Sequence, residues 1–273
     1  MAGRGAIAIP RWLRASEERF LREHRSHDVD HVIRRWKRLA RQAGWCVEVI
    51  AEEDGYPLLA LSNPVSEDDR GALYLSAGIH GDEPAGVLGL LEWTEEHVGV
   101  LAEWNVVIFP CLNPWGLAEN CRLDARGREL NRSFGDKKVT PIREWRRFMR
   151  GRRFDVAAML HEDYDAQGAY LYELTRHGRK DGERLLARVD PVLPRHRGRA
   201  DGQALKNGIK RRTRGIARIA ETIDGVAEAI HLYLEHARVS LTFETPSEFS
   251  LFRRVEAQKR FLSAVVEVAR TVE

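Results

Sequence analysis

The sequence predicts an α/β fold: a largely parallel sheet covered by helices on both faces. Three observations carry this. Short runs rich in Val, Ile, Leu and Phe, at 72–77, 105–110, 154–160 and 239–243, alternate with segments of helical periodicity. Apolar residues make up 43% of the 273, enough to bury a core. Finally, His80, Asn113, His161 and Glu244 all fall just past the carboxyl ends of apolar runs, where sheets of this kind place their sites.

The elements follow in order. Asp28 is suited to cap a helix through about Arg41, with Gly44 just past its end. Residues 45–51 and 56–61 read as a hairpin around Asp54-Gly55. A buried strand at 72–77 leads through His80 into a helix over 84–97. The strand at 105–110 runs into the loop Cys111-Leu112-Asn113-Pro114-Trp115-Gly116. Residues 141–149 are helical, with Pro141 in the first turn. Strands at 154–160 and 169–174 precede a helix at 182–189. Residues 191–215 are basic and give no clear period. Residues 216–235 are helical with a break at Asp224-Gly225. A strand at 239–243 precedes a closing helix over 252–272, with Phe261, Leu262, Val265, Val266 and Ala269 at helical spacing.

Composition excludes several classes. There is no apolar run long enough to cross a bilayer. The stretch Met1 to Pro10 is too short in apolar residues for a secretion signal. Cys46, Cys111 and Cys121 are odd in number and lie outside any CxxC spacing, which argues against a disulfide framework. A reducing, cytoplasmic setting is the expectation. Net charge is +3, but Arg195, Arg197, Arg199, Lys206, Lys210, Arg211, Arg212, Arg214 and Arg218 crowd one segment. This reads first as a solvated connection. A second reading is a basic wall beside the active site that favours acidic substrates. No aromatic residues are interleaved for base stacking, which argues against a nucleic-acid surface.

The chemistry concentrates in His80-Gly81-Asp82-Glu83, at a strand-to-helix turn. His and Glu three residues apart there can face one metal ion, and a catalytic zinc takes three protein ligands and leaves a position open. His161, after another apolar run, is the natural third. His24, His27 and His31 share a helical spacing but precede the main sheet, and read as surface. Glu162, Asp163 and Asp165 crowd His161; they orient ligands or hold a second metal, the first being the preferred reading. Arg132 is suited to gripping a carboxylate and Arg122 to an oxyanion, although each alone reads as a surface arginine. Glu244 ends an apolar strand, where a carboxylate is costly unless paired or used, and it is a candidate general base.

Together these pieces resemble the zinc carboxypeptidase (M14-like) superfamily, including the murein peptide amidases and the succinylglutamate desuccinylase/aspartoacylase branch. The matching residues are His80-Gly81-Asp82-Glu83, Asn113-Pro114-Trp115-Gly116, Arg122, Gly127 to Phe134, His161 and Thr242-Phe243-Glu244. The resemblance implies a single three-layer α/β/α domain with a mixed, mostly parallel twisted sheet. Its expected bounds are 28–273, after an N-terminal extension of 1–27. It implies one zinc ion on His80, Glu83 and His161, with zinc-bound water as nucleophile. It implies Arg122 as carbonyl polariser, Asn131 and Arg132 as the grip on a substrate carboxylate, and Glu244 as general base. Two positions depart from the usual pattern: Glu129 stands for an aspartate before Leu130-Asn131-Arg132, and Trp115 follows Asn113-Pro114. The implied substrate is a small peptide with a free C-terminus or, alternatively, an N-acyl amino acid. A binding module for an acidic partner, with a structural metal, is the non-enzymatic alternative.

Overall fold

The computed structural model of the chain describes residues 11–63, 71–176 and 179–272. The first ten residues of the expected N-terminal extension lie outside these. The elements are α1 (Arg11–Glu23), α2 (Val29–Ala43), β1 (Cys46–Glu53), β2 (Tyr56–Ser62), β3 (Ala72–Ala77), α3 (Pro84–Leu101), β4 (Asn105–Phe109), α4 (Pro114–Glu119) and the 3-10 turn Leu130–Arg132. There follow α5 (Thr140–Met149), β5 (Phe154–Asp163), β6 (Tyr170–Thr175), α6 (Gly182–Val189), β7 (Arg199–Ala200), β8 (Gln203–Ala204), β9 (Ile209–Arg212), α7 (Ile216–Thr222), α8 (Glu228–Glu235), β10 (Ala237–Pro246) and α9 (Leu251–Ala269).

Eight strands form one mixed sheet in the order β1-β2-β4-β3-β5-β10-β6-β9. Its centre, β4-β3-β5-β10, is parallel, while β1, β2 and β6 join antiparallel. The separate hairpin β7–β8 stands outside it. Alternation along the central strands builds two cores. Leu73, Leu75, Val156, Ala158, Leu160, Leu241 and Phe243 face the layer of α2, α3, α6 and α9. Tyr74, Val107, Phe109, Ala157 and Met159 face the layer of α5 and α8. By the same alternation His161 on β5 and Glu244 on β10 point toward the second layer. The register sets them side by side, Glu244 opposite His161.

Local signals explain most boundaries. The Asp28 carboxylate accepts from the His31 amide at 2.8 Å, and Gly44 ends α2 in the left-handed conformation. Asp54 and Gly55, with φ of 46° and 85°, close the β1–β2 hairpin. Asn113 Oδ1 caps α4 through the Gly116 amide at 2.9 Å, which makes Asn113 a turn-former. Two expectations are corrected. β5 runs on to Asp163 and β10 to Pro246, so His161 and Glu244 lie inside strands, because β5 and β10 pair continuously to Pro246↔Asp163. The basic stretch is not a bare connection: it contains β7, β8 and the edge strand β9, which pairs with β6. No helix among the described residues is long and apolar enough to cross a membrane.

Candidate metal centre and active site

The turn carrying His80 and Glu83 is shaped by close backbone approach. A Cβ on Gly81 would lie 1.9 Å from the Gly116 carbonyl carbon, so a side chain there would push the turn off α4. Glu83 follows as the N-cap residue of α3, with Pro84 behind it. Its carboxylate then lies between two imidazoles: Glu83 Oε1 is 2.5 Å from His80 Nδ1, and Oε2 is 3.0 Å from His161 Nδ1. The two rings meet edge to face with centroids 5.1 Å apart. All three residues are buried, and one ligand atom from each lies within 4.8 Å of the others. Two imidazole nitrogens and a carboxylate at this separation form the donor set of a three-ligand zinc site, and the residues fit the ion. Among the described residues no other three His, Cys, Asp or Glu side chains bring ligand atoms this close together.

The electrostatics express the same convergence. Burial opposes charge on His80, but Glu83 and Glu129 outweigh it and raise its pKa to about 9. Burial likewise opposes charge on His161, which Glu83 and then Glu244 raise above its ordinary value. Burial works against the charge on Glu83, yet the two imidazoles hold it well below the usual carboxylate range. A buried acid between two bases is a place prepared for positive charge.

Glu129 sits on the outer side of His80. Its Oε1 is 3.0 Å from His80 Nε2 and its Oε2 accepts from Arg122 Nε at 2.8 Å. Despite burial, His80 and Arg122 hold its pKa down at about 2. It orients the ring, and a glutamate reaches there where the related pattern has an aspartate. Arg122 is partly exposed, with Nη1 3.5 Å from Glu83 Oε1 and 3.3 Å from His80 Nδ1. Glu244 is buried beside the centre. Burial, with Glu83 and Asp163 adding to it and His161 and Arg122 opposing, pushes its carboxyl up to about 8.

The loop carrying Asn131 and Arg132 is tied down from the other layer. Asn131 Oδ1 accepts from the Glu228 amide at 3.0 Å, and the Arg132 carbonyl accepts from Val226 at 3.0 Å. Gly225 has φ of 77°, and a Cβ there would lie 2.2 Å from the Arg132 oxygen, which explains the break between α7 and α8. The Arg132 side chain is exposed, and its Nη1 donates to the Asn131 carbonyl at 3.0 Å. Beyond it stands a second polar group. Tyr172 Oη and Lys210 Nζ both donate to Asp201 Oδ2, at 2.9 and 3.0 Å. Burial acts against the charge of Asp201, but Lys210 and Tyr172, with Arg132 further off, lower its pKa overall.

Other candidates resolve differently. His27 Nδ1 lies 2.7 Å from the Leu117 carbonyl, His24 stacks on Phe20, and His31 Nδ1 is 3.4 Å from Arg25 Nη1, so these three do not converge. Glu162 turns away from the centre to the Ala85 amide and Arg254, while Asp163 accepts from Tyr170 Oη at 2.7 Å. No second metal cluster forms there among the described residues. Sequence reasoning missed Glu228, whose buried Oε1 accepts from Tyr74 Oη at 2.5 Å and Ser76 Oγ at 2.7 Å. Its position at the start of a short helix after a Gly gave no signal of burial.

Comparison with known proteins agrees with this architecture. Among solved structures, a candidate metallopeptidase from Shewanella amazonensis SB2B is 22% identical. It superposes with a TM-score of 0.78 over 89% of this chain and 94% of its own. A metallo-carboxypeptidase from Burkholderia cenocepacia is 14% identical, with a TM-score of 0.64 over 88% of this chain and 68% of its own. One from Pseudomonas aeruginosa, in complex with (2-guanidinoethylmercapto)succinic acid, is 17% identical, with a TM-score of 0.60 over 88% and 69%. The chain shares the fold of these metallopeptidase and metallo-carboxypeptidase structures. Residues 69–165, which include His80, Glu83, Arg122, Asn131, Arg132 and His161, match the succinylglutamate desuccinylase/aspartoacylase catalytic domain. No curated protein matches the sequence.

Proposed function

We propose that this protein is a zinc-dependent hydrolase that cleaves an amide bond next to a free carboxylate. The observation that carries the reading is the convergence of His80, Glu83 and His161 within 4.8 Å, beside a buried Glu244. Zinc held by these three side chains would supply Lewis acidity at the scissile carbonyl and activate water. Glu244, in the ionised form that a bound cation would favour, takes the proton from water and passes it to the leaving nitrogen. Arg122, the guanidinium nearest the ligands, faces the developing oxyanion. Arg132 grips the substrate carboxylate, and Asn131, pinned by the Glu228 amide, fixes the loop that presents it. The convergence of three side chains rather than four favours a catalytic over a closed structural site.

The substrate in this reading is a small peptide with a free C-terminus. This accords with the fold shared with metallo-carboxypeptidases. A second reading, an N-acyl amino acid deacylase, has support from the match over residues 69–165. Neither reading involves nucleic acid or a membrane. Three free cysteines, one of them exposed, accord with the cytoplasm as its location. The test is a substrate panel: peptides with free and blocked C-termini beside N-acyl amino acids, with the zinc-loaded chain. Preference for free C-termini supports the peptidase, and preference for N-acyl amino acids the deacylase. Glu244→Gln is expected to keep zinc and lose turnover by about a thousandfold; full activity in that variant removes Glu244 from the mechanism.

A further inference from the structure

The three ligands come from two separate elements, the turn before α3 and the end of β5, and a third element fastens these together. We propose that Arg254 and Gln258 of α9 are positioning residues that set the affinity of the metal centre without touching it. The proposal rests on the metal reading above.

Arg254 and Gln258 are four residues apart and so lie one above the other on a single face of α9. Gln258 is fully buried. Its Nε2 donates to the His161 carbonyl at 2.9 Å and to Thr245 Oγ1 at 3.2 Å, and Thr245 Oγ1 in turn donates to the same carbonyl at 3.4 Å. The amide therefore holds the backbone of one ligand on β5 and the residue after Glu244 on β10. Its own Oε1 is buried and has no hydrogen-bond partner among the described residues. An orphaned buried amide oxygen is destabilising, a cost that an apolar side chain of similar volume would avoid. A glutamine kept there for packing alone has no physical reason to be polar.

Arg254 works one turn earlier through Glu162, a buried carboxylate. Its Nη1 pairs with Glu162 Oε2, and its Nε donates to the Phe249 carbonyl at 2.9 Å. Glu162 Oε1 accepts from the Ala85 amide at 2.7 Å, in the first turn of α3. The Glu162 amide donates to Glu83 Oε2 at 3.1 Å. One buried ion pair thus joins α9, the end of β5 and the start of α3, and it closes on a ligand oxygen. Buried pairs of this kind add little net stability over apolar replacements, so their use is in fixing geometry. Outer groups that orient ligands are worth about 10- to 100-fold in metal affinity.

The experiment measures zinc affinity of the full chain by chelator competition, and the melting temperature of the metal-free form. The variants are Gln258→Met, which removes donor and orphan together, and the double variant Arg254→Met with Glu162→Gln, which removes both charges. Zinc binding weakened about tenfold or more in either variant that folds is the expected result, with the metal-free melting temperature of Gln258→Met equal to or above that of the parent. The visible spectrum of the cobalt-loaded chain is expected to shift in the same variants. Zinc affinity within about twofold of the parent in the folded variants, whatever the melting temperatures, overturns the proposal and leaves the two residues structural. A parent chain that binds no zinc overturns the metal reading itself, and the proposal with it.

Discussion

The proposed metal half and the proposed recognition half of this site are built differently. His80, Glu83 and His161 are buried, His80 and Glu83 on the turn between β3 and α3 and His161 within β5. Arg122 and Arg132 stand on an irregular loop and are exposed, although that loop is tied to the α8 layer through Asn131 and the Arg132 carbonyl. Strands in the middle of a sheet are paired on both edges and packed on both faces, so a side chain at their end has little freedom. The two loop guanidiniums are exposed, although Arg122 Nε is bound to Glu129 and Arg132 Nη1 to the Asn131 carbonyl. In the proposed reading the difference teaches that the reacting centre is preorganised by burial, while the grip on substrate is the more exposed part.

The sharpest way to break this comparison is to alter the buried half. Glu83→Gln removes the negative charge that faces two imidazoles, and zinc affinity is expected to fall by more than about a hundredfold, read by chelator competition. A variant that still binds zinc as the parent does would show that the carboxylate is not a ligand. The exposed half should respond differently. Arg132→Met is expected to lower kcat/KM for a substrate with a free carboxylate about tenfold to a hundredfold, the worth of a charged hydrogen-bonded contact. Zinc affinity should stay within about twofold, and substrates with a blocked carboxylate should be little affected. An equal loss on both substrates would remove the clamp assignment.

The smallest effect sharpens the contrast through pH. The Glu244 carboxyl has its folded pKa raised to about 8 by burial, so the folded chain keeps a proton that the unfolded chain has released. Its contribution to stability is full below the ordinary carboxylate range and is lost as pH rises through about 8. Glu244→Gln is therefore expected to raise the melting temperature of the metal-free chain by a few degrees at pH 8, with the gain vanishing near pH 4. Calorimetry across that range checks it. A gain that is independent of pH would mean that packing, not charge, separates the two side chains.

Much of this was legible in the residue order. Asp28 and Gly44 bound a helix, Asp54-Gly55 closed a hairpin, and the apolar runs at β3, β4 and β5 read as strands because buried parallel strands must be nearly continuous in apolar residues. The strand β9 was hidden because Ile209-Lys210-Arg211-Arg212 is an edge strand, and its charges find partners in Asp201, Glu173 and Gln203 that lie far along the chain or across a turn. Glu129 was visible only as a departure from a pattern. Gln258 was invisible, since a glutamine in a long helix looks like surface until its partner is seen to be the His161 carbonyl.

The sequence by itself determined the types of the central elements and brought forward His80, Glu83 and His161 as candidate donors, because periodicity and residue chemistry are local properties. Tertiary structure alone decided that the donors meet, that Glu244 lies beside His161, and that α9 fastens the ligand-bearing elements. These are relations between residues from about 80 to more than 160 positions apart. They depend on strand order and register, which arise from packing two cores against one sheet and leave no signature in any single stretch of chain.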